Sequence, residues 1–218
     1  MHYIFGHRGL PKIYRENSIE GLNKAFEYCD FVETDVRITL DNYLVLQHDP
    51  DVQGKLIKDM FLEEVMEAIG VLDEEDIVLH SRDQLLGRVN FEIKTSSLDP
   101  AQIDIVFQKM LSILKAGDIV SSFDGKAINS FKNLFPCHYG IILDNEEALF
   151  QAKAISNHDA ELFFMIEKSL FDARIFELPL DRTAVWTVND EKEFERLMEI
   201  GVFGVITDIP DTMHIYRK

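Results

Sequence analysis

Glu33 and Asp35 lie two residues apart in a run otherwise built of Phe31, Val32, Val36 and Ile38. In an extended strand successive side chains alternate between faces, so both carboxylates share one face. Two bare carboxylates held there repel, and one takes up a proton unless a cation joins them. Glu92 repeats the situation on a second apolar run, with Lys94 two residues on and on the same side. Three hard oxygen donors with no cysteine nearby favour magnesium or calcium over a structural zinc. A plainer reading makes Asp35–Arg37 and Glu92–Lys94 ion pairs on solvated strand ends. Gathered at one mouth, the three acids point instead to a divalent cation.

His7 and His48 also end apolar segments, and His48 is followed by Asp49. Imidazole titrates near neutrality, so a histidine pair can supply the base and the acid of a hydrolysis. A histidine at a strand end is more often a hydrogen-bonded structural group. Arg8 changes that weighing, because a guanidinium beside His7 offers a planar fork for phosphate oxygens. His2, His80, His138, His158 and His214 have no such company and receive no role.

These residues need a scaffold that brings many strand ends together. Strands are expected over 3–5, 31–39, 43–47, 88–93, 118–122, 139–143, 162–166, 184–188 and 204–207. Helices are expected over 18–28, 61–69, 101–114, 126–134, 146–154 and 191–200, with a short one near 84–86. Residues 167–176, ending at Phe176, carry no clear pattern. Asn17 and Glu20 have the spacing of a capping box, and Asp41-Asn42 suits a tight hairpin because Asn tolerates positive φ. About eight βα units suggest a (β/α)8 barrel or a doubly wound sheet. The barrel is favoured, since His7, Glu33, Asp35, Glu92, Ser122, Asn189 and Asp208 all fall at C-terminal strand ends, where βα loops build a site. A nucleotide-binding doubly wound sheet would want a glycine-rich turn after its first strand, and none is present.

The chain has 218 residues, 46% of them hydrophobic and 28% charged, which suits one globular domain over 1–218 rather than two or a disordered chain. Its formal net charge of −17 sets it against nucleic acid and anionic membranes as partners. No apolar run reaches the ~20 residues of a membrane helix, and the start lacks the basic segment and apolar core of a signal peptide. Two cysteines, Cys29 and Cys137, make no disulfide framework, so a cytoplasmic location is expected.

The motifs have a family likeness. His7-Arg8-Gly9, Glu16-Asn17-Ser18, Glu33-Thr34-Asp35-Val36, Thr39 with Asp41, and His48-Asp49 follow one another in the order and approximate spacing of the glycerophosphodiester phosphodiesterases. Glu92-Ile93-Lys94, Ser122-Phe123, Trp186-Thr187-Val188-Asn189 and Gly204-Val205-Ile206-Thr207-Asp208 continue the match, so the chain resembles that family from residue 4 to 210. The resemblance implies a (β/α)8 barrel. It also implies use of one divalent cation, Mg2+ or Ca2+, to cleave glycerophosphodiesters such as glycerophosphocholine or glycerophosphoethanolamine to glycerol 3-phosphate and an alcohol. By the same likeness His7 and His48 match the acid/base pair, Glu33, Asp35 and Glu92 the metal ligands, and Arg8 and Lys94 the phosphate-contacting cations. Trp186 matches an aromatic of the pocket wall, though a Trp in an apolar strand reads equally as core.

The departures are local. Ser18 replaces the usual Thr, and Asn42 stands where Gly is common. The stretch from His48 to Glu92 is short for the family, whose members carry a small inserted subdomain there, and the usual Pro-Thr-Leu before Glu92 is replaced in its vicinity by Leu79-His80-Ser81. A reduced insert implies a more open pocket, which bears on the headgroup rather than on the chemistry. One rival is a lysophospholipase D- or C-like enzyme acting on lysolipids. It would want an apolar lip, for which Ile57, Met60 and Phe61 are candidates that read better as packing inward. Another rival, a silent barrel that binds phosphorylated ligands, predicts erosion of a histidine or carboxylate, and none is eroded.

Overall fold

The computed structural model describes residues 2–132, 134–156, 161–174 and 177–217. The elements follow in the order β1 (Tyr3–Gly6), α1 (Ile19–Ala25), β2 (Phe31–Ile38), β3 (Leu44–Leu46), β4 (Asp51–Val52), β5 (Lys55–Leu56), α2 (Leu62–Ile69) and β6 (Arg88–Ile93). The second half alternates α3 (Pro100–Leu111), β7 (Ile119–Ser122), α4 (Gly125–Phe131), β8 (His138–Leu143), α5 (Glu146–Ser156), β9 (Phe163–Glu167), α6 (Lys168–Arg174), β10 (Thr183–Trp186), α7 (Glu191–Ile200), β11 (Gly204–Thr207) and α8 (Pro210–Met213).

Parallel pairing runs β1-β11-β10-β9-β8-β7-β6-β2, and β1 also pairs with β2, so eight strands close into the (β/α)8 barrel. Closure leaves none of these eight strands at an open edge of the barrel. Beyond Gly6, where β1 ends, the antiparallel β3 takes over that side of β2, with Val36 opposite Leu46 and Ile38 opposite Leu44.

The alternation of each strand sorts its side chains into two cores. Inward-facing Phe5, Phe31, Ile119, Ile142, Phe163, Met165, Ala184 and Ile206 fill the barrel, while Ile4, Val32, Val36, Phe91, Val120, Phe164 and Val205 pack outward against the helices. The floor is aromatic: Phe5 stacks on Phe31 at 4.6 Å, and Arg88 lies 4.1 Å over Phe31. Gly204 is required there, because a Cβ would meet the Phe5 ring at 2.4 Å. Above the floor the same inward positions turn polar. Phe31 gives way to Glu33 and Asp35, Phe5 to His7, and Ile206 to Asp208.

Between β3 and β6 the chain forms the small β4–β5 hairpin and α2, which bury their own cluster of Val45, Ile57, Met60, Leu62, Val65, Ile77 and Val78. Ile57 and Met60 pack inward as expected, whereas Phe61 is exposed. The expected capping box does not form. Asn17 adopts φ 56, and Ser18 caps α1 instead, accepting from the Gly21 N–H at 3.0 Å. α1 ends earlier than its apolar pattern suggests, the short helix near 84–86 is a 3-10 turn at Arg82–Gln84, and α6 and α8 appear where no helix was expected. Phe176 lies outside the described residues.

Candidate active site

β2 and β6 run in register with Asp35 beside Glu92, so the two strands carry the three acids to one spot. Ligand atoms of Glu33, Asp35 and Glu92 all lie within 4.8 Å of one another. Lys94 bridges two of them, ion-paired to Asp35 Oδ1 at 2.8 Å and to Glu92. Arg8 closes a third side: its backbone N–H donates to Glu33 Oε2 at 3.0 Å, and its guanidinium lies 3.3 Å from Asp35 and 3.1 Å from Glu16. The loop carrying Arg8 is shaped by left-handed backbone, with Arg8 at φ 52 and Gly9 at φ 88. A Cβ on Gly9 would come within 2.9 Å of the backbone of Gly21 and Leu22, so only glycine lets the loop cross α1 so closely.

His7 follows β1 and is held by two long-range contacts. Its N–H donates to the Thr207 carbonyl at 2.9 Å, and its Nδ1 meets Asp208 Oδ1 at 2.6 Å. Nε2 is thereby directed to the interior, 3.9 Å from Glu33 Oε2. His48 follows β3 and is more open. Its Nδ1 is 2.9 Å from Asp49 Oδ1, and its carbonyl accepts from Arg37 Nε at 2.9 Å. Arg37 therefore does not pair with Asp35, which removes the plainer ion-pair reading for that residue.

His7, Arg8, Glu33, His48, Glu92, Lys94 and Trp186 line one cavity of about 120 Å³, and Asp35 lies against it behind Arg8 and Lys94. Every residue selected from the sequence thus comes to the same mouth. Trp186 forms wall rather than core: its indole Nε1 donates to the Met165 carbonyl at 2.9 Å, and its ring meets Phe123 edge-on at 6.2 Å.

The electrostatics are unbalanced in a way that asks for a cation. Burial, reinforced by the Asp35 carboxylate, pushes Glu33 up to about 8. Burial also raises Glu92, against the pull of Lys94. Asp35 is the exception: burial opposes its ionisation, but Lys94, Arg8 and the Asn17 amide outweigh it and hold the carboxyl below its usual range. Glu33 Oε1 is buried with no hydrogen-bond partner. An orphaned carboxylate oxygen facing two further carboxylates fits a hard divalent ion, and the all-oxygen donor set suits Mg2+ or Ca2+. Burial lowers His7, yet the Asp208 hydrogen bond and the Glu33 charge outweigh it and raise the imidazole. Burial leaves His48 lowered.

Asp208 and Asn189 stood at strand ends in the sequence without a role, and the structure gives both one. Asp208 meets His7 and is itself held by Asn189 Nδ2 at 2.6 Å. Asn17 likewise donates to Asp35 Oδ2 at 2.8 Å. For Asp208 and Asn189 placement at strand ends was the only local signal, and Asn17 lies just before the cap of α1, where its spacing to Glu20 reads as a capping box; each partner is distant in sequence.

Known proteins share this fold and parts of this sequence. The Glycerophosphoryl diester phosphodiesterase family matches residues 7–75. A glycerophosphodiester phosphodiesterase of Caldanaerobacter subterraneus subsp. tengcongensis is 27% identical over 99% of this chain and 98% of its own. One from Bacillus altitudinis is 25% identical over 95% of each chain. The crystal structure of a glycerophosphodiester phosphodiesterase from Thermotoga maritima superposes with a TM-score of 0.76 at 24% identity, covering 100% of this chain and 99% of that one. An Oleispira antarctica phosphodiesterase, solved with the product sn-glycerol-3-phosphate, gives 0.75 at 20% identity over 97% and 95% of the two chains. The chain is thus similar to glycerophosphodiester phosphodiesterases from end to end, and over residues 7–75 it matches the model of that family.

Proposed function

We propose that residues 1–218 act as one catalytic unit that hydrolyses glycerophosphodiesters to glycerol 3-phosphate and an alcohol, with one divalent cation. The observation that carries the reading is the convergence of two histidines, three carboxylates and two cations on one cavity at the C-terminal ends of the strands. Glu33, Asp35 and Glu92 would hold the ion, which when bound supplies a Lewis acid and a template for the phosphate. Arg8 and Lys94 bind the non-bridging phosphate oxygens and stabilise the charge that grows on them. Of the two histidines, one accepts the proton of the attacking hydroxyl and the other donates a proton to the departing alkoxide as the P–O bond breaks. The Asp208 contact at Nδ1 leaves His7 Nε2 as the nitrogen that exchanges this proton. The attacking hydroxyl belongs to water, which gives glycerol 3-phosphate directly, or to the glycerol 2-position, which gives a cyclic phosphate that water must then open to glycerol 3-phosphate.

Small soluble diesters are favoured over lysolipids, because of the three lip candidates Ile57 and Met60 are buried and Phe61 alone is exposed. No described helix is long and apolar enough to cross a membrane. The test is a coupled assay of glycerol 3-phosphate release from glycerophosphocholine, glycerophosphoethanolamine and a micellar lysolipid, with EDTA and then Mg2+ or Ca2+ restored. Turnover abolished by EDTA and by His7→Ala or His48→Ala supports the reading. Turnover indifferent to all three sinks it, and preference for the micelle replaces it with the lysolipid reading.

A further inference from the structure

The dipeptide Thr-Asp occurs twice at the mouth, as Thr34-Asp35 in β2 and Thr207-Asp208 at the end of β11, on the two strands that flank β1. Each is gripped by one asparagine from another segment. Asn17 Oδ1 accepts from the Thr34 hydroxyl at 2.8 Å and from the Asp35 backbone N–H at 3.0 Å, while its Nδ2 donates to Asp35 Oδ2 at 2.8 Å. Asn189 Oδ1 accepts from the Thr207 hydroxyl at 3.0 Å and from the Asp208 backbone N–H at 2.8 Å, while its Nδ2 donates to Asp208 Oδ2 at 2.6 Å. The three bonds correspond one to one.

A primary amide has one oxygen with two lone pairs and one nitrogen with two donors. Accepting two bonds and donating a third fixes its plane and its sense, because a flipped amide would set donors against donors. In each clamp the amide binds Oδ2 of the aspartate and leaves Oδ1 to its partner in the site, Asp35 Oδ2 also lying 3.3 Å from Arg8 Nε. Asp35 Oδ1 receives Lys94 at 2.8 Å within the carboxylate cluster, and Asp208 Oδ1 receives His7 Nδ1 at 2.6 Å. The asparagines differ in setting: Asn17 is fully buried at left-handed φ 56, whereas Asn189 is exposed at the rim.

We propose that Asn17 and Asn189 are matched positioning residues, Asn17 aiming the Asp35 carboxylate at the cation and Asn189 aiming the Asp208 carboxylate at His7. The inference rests on the cation-assisted reading above, and it assigns the two amides to two different steps. Amides outside the ligand set that orient ligands in this way commonly cost 10–100-fold in metal affinity or activity when lost, a range of about that size being expected here.

The test uses Mn2+ titrated calorimetrically into the full chain, with glycerophosphocholine turnover and the ¹⁵N signals of the His7 imidazole measured beside it. Asn17→Gly keeps the left-handed backbone accessible, and Thr34→Val frees the amide without touching Asn17. Expected is a Mn2+ affinity lowered about 10–100-fold in Asn17→Gly, and lowered less in Thr34→Val. In Asn189→Ala the Mn2+ affinity should stay at the wild-type value while kcat falls, KM holds and the His7 Nδ1 signal moves. Wild-type Mn2+ affinity in both Asn17→Gly and Thr34→Val overturns the first assignment, as does a wild type that binds no cation. An unmoved His7 signal with unchanged kcat in Asn189→Ala overturns the second. A wild type that binds Mn2+ but cleaves no glycerophosphodiester defeats the substrate reading alone, since the affinity ratios and the His7 signal still decide the clamps.

Discussion

His7 Nδ1 stands 2.6 Å from Asp208 Oδ1, although 201 residues separate the two in the chain. Barrel closure makes the contact, because the strand that Asp208 follows, β11, pairs in parallel with β1. A carboxylate at Nδ1 fixes which imidazole nitrogen faces the substrate and favours the protonated ring. Asp208→Asn should lower kcat about 10²-fold, within the range of general acid–base contributions. KM and Mn2+ affinity should stay near their wild-type values. Steady-state kinetics with parallel calorimetry measures this, and an unchanged kcat would show that the orientation of His7 owes nothing to Asp208.

Glu33 links cation, proton and stability. In the cation-free protein burial and the Asp35 charge let its carboxyl hold a proton up to about pH 8, against the ordinary 4.5 of a free glutamate. The folded state therefore binds more protons than the unfolded one between those values, and stability should fall as pH rises through that window. Cation binding must expel the proton, so affinity should rise with pH over the same window and calorimetry should record close to one proton released near neutral pH. Chemical denaturation of the EDTA-treated protein at several pH values checks the first expectation. A flat affinity profile from acid to about pH 8 would contradict the second.

Arg82 and Asp118 form a buried fork at the far end of the barrel, with Nε to Oδ2 and the Nη2 nitrogen to Oδ1 both at 2.8 Å. Asp118 also accepts the Lys115 and Val89 backbone N–H groups, at 2.9 and 3.2 Å. Arg82→Met would leave that carboxylate buried without its cation, at a cost of about 3–5 kcal/mol in urea unfolding. The kcat of the folded fraction should not change. A loss below about 1 kcal/mol would mean that the fork contributes little beyond what water or repacking can replace.

Phe123 is exposed at the mouth, edge-on to Trp186 and 5.7 Å from Lys94 Nζ. Phe123→Ala should raise KM for glycerophosphocholine about 3- to 10-fold, the worth of one aromatic contact, and leave kcat nearly unchanged. A comparable fall in kcat with KM constant would instead make the ring part of the transition-state environment.

Much of the site was legible because its signals are local. The period-two placement of Glu33 and Asp35, and of Glu92 and Lys94, follows from strand geometry alone, and the apolar runs that precede His7 and His48 put both at strand ends. The helix α8 was missed because 4 residues carry too little periodicity to read, and α6 was missed because it runs on from β9 at Glu167 with no turn residue between them. The cap of α1 was misplaced by one residue, since Asn17 and Glu20 have capping-box spacing while tertiary structure draws the Asn17 amide to Asp35 and leaves Ser18 to cap.

The sequence by itself determined which chemical groups stand at the strand ends and on which face, because propensity and alternation act over a few residues. The net charge of −17 could not foretell a mouth where Arg8 and Lys94 sit among three acids. Only the closed barrel decided the partners: Lys94 rather than Arg37 for Asp35, Asp208 for His7, and an asparagine for each aspartate. Those choices depend on strand register and on closure between β1 and its neighbours, which bring residues together through space regardless of their separation along the chain.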